Sequence, residues 1–216
     1  MNRDIPFYPF LTPEQQDLLD RSVQQISYKK GQVVHRHGDA CVGIIFVRKG
    51  RLSFYALSEE GREITILRAK AGQTCVLSAS CVFQAVESES HITAEVASEV
   101  AVLPASILAQ LMHENKDVER LVYQQASNQY AGALNTLQRI VFFSLEKRLA
   151  CFLRDEGEYQ NTPVFSATHE QIARHIGSSR EVVTRMLNQF ASRGIVSLGR
   201  GTVTVMDHDA LEDLTF

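Results

Sequence analysis

The sequence predicts an α+β protein: an N-terminal antiparallel β-roll of the cupin-like, jelly-roll kind, then a long dimerisation helix, then a C-terminal winged helix-turn-helix. Three observations predict it. Glycines at 31, 38, 50, 61 and 72, the last three spacings being 12, 11 and 11, fall between short alternating or apolar runs, as turns do between the strands of a roll or barrel. Lys116 to Val141 has no proline, one glycine and apolar residues at helical spacing. Thr168 to Asn188 reads as two short helices around a tight turn.

The elements follow in order. Thr12-Pro13-Glu14 starts a short lead-in helix, with proline where its missing N–H costs nothing. Strand runs follow at Gln32–His35, Gly43–Val47, Leu52–Ala56 and Glu63–Leu67, with Ser58-Glu59-Glu60-Gly61 as a hairpin tip. His91–Leu103 adds two more. Ser106–His113 is a short helix. The long helix has apolar ends and a polar middle of Gln124, Gln125, Asn128 and Gln129. About 26 residues span ~39 Å, more than one small domain needs, so it is expected to pack on a copy of itself with the polar middle setting register. Phe142–Asp155 reads as another helix and Asp155–Pro163 as a polar loop. The expected division is 1–113 for the roll, 114–141 for the dimerisation helix and 142–216 for the winged helix-turn-helix.

The helix-turn-helix carries the chemistry. Thr168 and Gln171, and Ser178 and Glu181, fit the S/T-x-x-E/Q capping pattern, in which two helix-end donors are satisfied reciprocally. Gly177 permits the turn. Val183, Met186, Leu187 and Phe190 form one apolar stripe; Glu181, Thr184, Arg185 and Asn188 form the opposite one, with Arg180 beside it. Early residues of such a second helix meet base edges in the major groove, where Arg pairs with guanine and Glu accepts from cytosine. Ile195–Leu198 and Thr202–Met206 flank Gly199-Arg200-Gly201, a wing with Arg200 at its tip. The chain carries a net charge of −3, yet Ile172 to Arg200 holds five arginines against Glu181, a local basic patch suited to phosphate. The DNA-facing candidates are Thr168, Ser178, Ser179, Arg180, Glu181, Thr184, Arg185, Asn188 and Arg200.

The order of roll, long helix and winged helix-turn-helix resembles the CRP/FNR superfamily of bacterial transcription regulators. Residues 30–39 (KGQVVHRHGD), 50–66 (GRLSFYALSEEGREITI) and 167–196 carry the likeness, which covers almost the whole chain. The family's DNA-reading signature stands here as Ser179, Arg180, Glu181 and Arg185. The resemblance implies a homodimer joined by the long helix, binding two-fold-symmetric double-stranded DNA and engaging RNA polymerase. It implies Arg180 and Arg185 on guanines and Glu181 on a cytosine, while Thr184 occupies a position that varies.

Cyclic nucleotide sensors in that family resemble one another in a Gly-Glu-Leu segment and a following Arg-Ser or Arg-Thr pair. Here Val76 and Leu77 stand at the Gly-Glu, Ser88 and Glu89 stand at the Arg pair, and no arginine occurs between Arg68 and Arg120. A cyclic phosphate is not expected there, because its charge would be buried without a clamp. Four dispersed cysteines, with none before Cys41, make no iron–sulfur set, disulfide scaffold or zinc ribbon. No resident cofactor or metal is expected; haem stays open because His35, His37, His91, His113, Cys75 and Cys81 can all ligate it.

Thr74, Cys75, Ser78, Ser80 and Cys81 should face the effector cavity. The two cysteines are either buried small hydrophobes or an oxidisable switch. The serines and threonine could instead hold a small uncharged effector. The N-terminus has no signal or membrane-spanning run, so a reduced, cytoplasmic protein is expected. No catalytic triad, phosphate loop or HExxH motif is present, and no enzyme activity is expected. The alternative is a cupin-type metal-binding enzyme with an accessory winged-helix module, using His35, His37, Asp39 and His91.

Overall fold

A computed structural model describes residues 2–36, 39, 41–61, 63–76, 78 and 91–215. After a 3₁₀ turn at Tyr8–Phe10 come α1 (Pro13–Ser22), β1 (Gln24–Tyr28), β2 (Val33–His35), β3 (Ile44–Lys49), β4 (Arg51–Leu57), β5 (Glu63–Lys70), β6 (Thr74–Cys75), β7 (His91–Ala94) and β8 (Ser98–Leu103). Helices α2 (Ala105–Glu114), α3 (Lys116–Phe142) and α4 (Leu145–Gln160) follow, then β9 (Val164–Ser166), α5 (His169–Ile176), α6 (Arg180–Ser192), β10 (Val196–Gly199), β11 (Thr202–Val205) and α7 (His208–Asp213).

The chain divides into two compact units, one of Met1–Ala56 with Ile66–Leu134, the other of Leu57–Thr65 with Asn135–Phe216. In the first, two four-stranded sheets form the predicted roll, in the orders β1-β8-β3-β6 and β2-β7-β4-β5. Strand β3 is apolar on both faces for a reason. Its Ile45 and Val47 join Leu52, Phe54, Ile92, Val100 and Val102 in one core. Its alternate residues Ile44 and Phe46 pack with Leu19, Leu108, Leu111, Val118 and Val122 in another. Successive strand side chains point to opposite faces, so one strand serves two layers.

Thr12 caps α1 in a complete capping box with Gln15. The polar stretch after Asp155, read as a loop, continues α4 to Gln160 and stops at Asn161, which is left-handed at φ 49. Packing and local pairing offset the polarity: Asp155 accepts from Arg139 of α3, Glu156 is buried, and within α4 Glu156 accepts from Gln160 Nε2.

Only Val118, Val122 and Gln129 are buried on α3. Gln129 therefore does not belong to an exposed polar seam. Its amide donates to Thr74 O and accepts from Val76 N, closing the open edge of β6. The exposed residues Tyr123, Ser127, Tyr130, Leu134, Leu137 and Val141 instead recur at alternating spacings of four and three, the period of a coiled-coil seam.

The second unit has one core, built from Leu149, Phe152, Leu153, Phe165, Ile172, Val183, Leu187, Phe190, Val203 and neighbouring side chains. A three-stranded sheet, β10-β11-β9, supplies the wing; the β9 edge is an addition to the two-stranded wing that the sequence suggested. No helix among the described residues is long and apolar enough to cross a membrane.

Candidate nucleic-acid interface

The reading helix is positioned by three local devices. Thr168 caps α5, accepting from Gln171 N while Thr168 N–H donates to Gln171 Oε1. Gly177 ends α5 at φ +66, a left-handed backbone that favours glycine. A Cβ there would also lie 2.6 Å from Ile64 Cδ1 of the β4–β5 hairpin tip. The same tip places Glu63 3.3 Å from Arg174.

The third device is the cap of α6. It is Ser179, which accepts from Val182 N; the expected box between Ser178 and Glu181 does not form. Two serines stand in tandem, and the backbone enters the helix one residue later than the pattern suggested. Half-buried Ser178 instead donates its N–H to Ala173 O. Glu181 thus takes no part in a box with Ser178.

Val183, Met186, Leu187 and Phe190 are buried as expected. They lock one side of α6 into the core and turn the other outward. Arg180, Glu181, Thr184, Arg185 and Asn188 together line a shallow open concavity of about 750 Å³. Gln189 and Ser192 extend it; continuing the four-residue spacing from Arg185 and Asn188 would have found both. Thr168, Ser178 and Ser179 sit at the helix starts, and exposed Arg200 occupies the turn of the wing.

Hydrogen bonds from its own backbone N–H and from the Ser179 hydroxyl hold the Glu181 carboxyl below the usual carboxylate range, against an opposing desolvation and with Arg180 adding to the effect. A depressed carboxylate loses its charge only below its ordinary pKa of about 4.3. Glu181 is then a pure acceptor throughout neutral and mildly acidic pH. Its base preference is expected to stay constant between about pH 5.5 and 8, measured by competition between duplexes; a preference that fades on acidification would contradict this.

The five arginines of the local patch separate into two kinds. Arg174 pairs with Glu63 and Glu170, and Arg193 with Glu146 at 2.8 Å. Arg180, Arg185 and Arg200 make no ion pair among the described residues, and the first two lie on the concave face. His169 escaped the sequence reading: its Nδ1 lies 2.8 Å from Thr184 Oγ1, a link between helices that no periodicity encodes.

In the roll, Thr74, Cys75 and Ser78 are buried. Ser78 Oγ donates between the carbonyls of Gly43 and Cys75, at 2.6 and 2.9 Å. The Cys75 side chain has no exposed surface and lies inside the core between the sheets. Cys41 is disulfide-bonded, contrary to the expectation of four unpaired thiols; spatial proximity, not sequence spacing, decides pairing. Burial pushes the free Cys151 thiol up. Ser80, Cys81, Leu77, Ser88, Glu89 and His37 lie outside the described residues. Of the remaining candidate metal or haem ligands, His91 stacks on Tyr55 with ring centroids 5.3 Å apart. Among the described residues, no group of three or more His, Cys, Asp or Glu is placed to hold a metal ion.

A capped helix-turn-helix with a wing and an outward face of arginine, carboxylate and amide defines a DNA-binding protein. Comparison with known proteins agrees. Residues 147–214 match the family model described as a Crp-like helix-turn-helix domain, and residues 25–115 match the cyclic nucleotide-binding domain. A solved structure assigned to the CRP/FNR family of transcriptional regulators, from Eubacterium rectale ATCC 33656, is 35% identical, with a TM-score of 0.91 and 98% of each chain covered. The cyclic AMP receptor protein of Thermus thermophilus is 26% identical, covering 98% of this chain and 97% of its own. An anaerobic regulatory protein of Haemophilus influenzae is also 26% identical, over 96% and 83%.

The chain belongs to the CRP/FNR superfamily of transcription regulators. It is a DNA-binding regulator and not an enzyme, which sets aside the metal-dependent cupin alternative.

Proposed function

We propose that the protein is a cytoplasmic homodimer that reads a two-fold-symmetric operator, one α6 per major-groove half-site, and acts on RNA polymerase in response to a change in its roll. One observation carries this reading: the side of α6 opposite its buried stripe gathers Arg180, Glu181, Thr184, Arg185 and Asn188 on one open face. The heptad seam on α3 supports the dimer: among the described residues, six of the eleven exposed large apolar side chains lie on that helix. Two-fold pairing would present the reading helices to half-sites one DNA turn apart, roughly 34–36 Å.

The proposed switch is the segment of Thr74, Cys75 and Ser78, with Ser80 and Cys81 as the further candidates. Gln129 ties this segment to α3, and Ser78 ties it to the 41–43 loop through Gly43 O. The Val76 N–H is already taken by Gln129. The arginine-free stretch around it favours a small uncharged effector over a cyclic phosphate. Buried Cys75 is reached by an oxidant only if the roll opens; thiol modification in this segment is the second form of the switch.

Selection of bound genomic fragments by the purified protein tests the reading; recovery of a two-fold motif is expected, and sequence-independent recovery would refute it. Within that test, Arg200 separates grip from reading. Arg200→Ala is expected to weaken every duplex alike and to reduce the slope of log K against log salt by about 1. A change in base preference would place Arg200 on a base instead.

A further inference from the structure

Thr184 stands on the reading face, yet its hydroxyl is engaged inside the protein. Oγ1 lies 2.8 Å from Arg180 O, one helical turn back, and 2.8 Å from His169 Nδ1 at the start of α5. A hydroxyl has one proton, and a carbonyl can only accept. The proton therefore goes to Arg180 O, and Nδ1–H of His169 donates to the Thr184 oxygen. A helical threonine ordinarily divides between two χ1 positions; here the second bond, from a different helix, fixes one. With Oγ1 fixed, the chirality at Cβ fixes the methyl as well. Thr184 is half-buried and lines the concave face beside Glu181 and Arg185. With its donor and its accepting side both committed inward, the methyl is the group it has to offer. In the major groove, the partner for such a methyl is the C5-methyl of thymine.

We propose that His169 is a positioning residue for base recognition: it holds Thr184 with the hydroxyl turned into the protein, and so makes Thr184 a reader of a thymine methyl at one base pair of each half-site. The inference rests on α6 lying in the major groove, as proposed above. It adds a residue outside the reading helix to the determinants of sequence choice.

The test uses the full-length protein. Selection from a duplex library with randomised half-sites first locates the positions read. Each thymine in the selected half-site is then replaced by uracil, which lacks only the methyl. Wild type is expected to prefer thymine to uracil by about fourfold at one position, the value of one buried methyl. His169→Leu is expected to bring that ratio towards one while preferences at the guanine positions persist. His169→Asn keeps an N–H donor near the Nδ1 position and should restore the ratio. Thr184→Val carries a methyl at both branches, so it should keep the preference for thymine, and adding His169→Leu to it should change nothing further. The double-mutant comparison isolates the coupling between the two side chains.

A thymine-to-uracil ratio in His169→Leu equal to wild type would overturn the proposal. So would an equal loss at every position together with a lowered melting temperature, which would make His169 merely structural. A wild type with guanine preferences but no response to uracil would refute this inference alone; a wild type with no sequence preference would refute the underlying reading as well.

Discussion

Leu134→Glu with Leu137→Glu is expected to convert the protein to a monomer and to lower its affinity for a two-fold DNA site by about 10²–10⁴-fold, the range lost when two linked sites no longer act together. Both leucines are exposed on α3, at 40% and 55%, so the charges add no strain within the protomer. In a paired helix they face their own copies at the seam, where four carboxylates would be desolvated against one another. Sedimentation equilibrium should show half the mass, with an unchanged circular dichroism spectrum. Binding to an isolated half-site should change little, because each α6 remains intact. A variant that stays dimeric would move the interface off this seam; a monomer that binds the full site normally would remove the need for pairing.

Arg180→Ala and Arg185→Ala should each weaken specific binding by ~1–3 kcal/mol, the discrimination of one bidentate contact to guanine. Each should also relax base choice at a single position. Both side chains are exposed, lie on the concave face and make no ion pair among the described residues, so neither variant should lower the melting temperature of the free protein. Arg174→Ala is the control. That guanidinium is held by Glu63 and Glu170, and its loss should leave base preference intact. Equal weakening on all duplexes after Arg180→Ala would assign Arg180 to the phosphate backbone.

The parts legible in the sequence were those governed by a local period. The buried stripe of α6, the span of α3 and the Thr12 and Thr168 caps each follow from residues within a few positions of one another. Strands β1 and β6 were not legible. The first is mostly polar and acquires its identity by pairing with β8; the second is two residues long and exists because Ile45 and Phe46 pair with it. At the site, charge counting gave five equivalent arginines, and only folding set Arg174 and Arg193 against carboxylates. The bond from His169 to Thr184 joins residues 15 positions apart on two helices, and the choice between Ser178 and Ser179 as cap was a matter of backbone register.

Adjacent residues of α3 serve two masters: Gln129 is fastened to the rim of β6 while Tyr130 looks out into solvent. The amide acts as a fulcrum. With Val118 and Val122 anchored in the core as well, a displacement of the rim is expected to load the helical rod at this amide before any other point along its length.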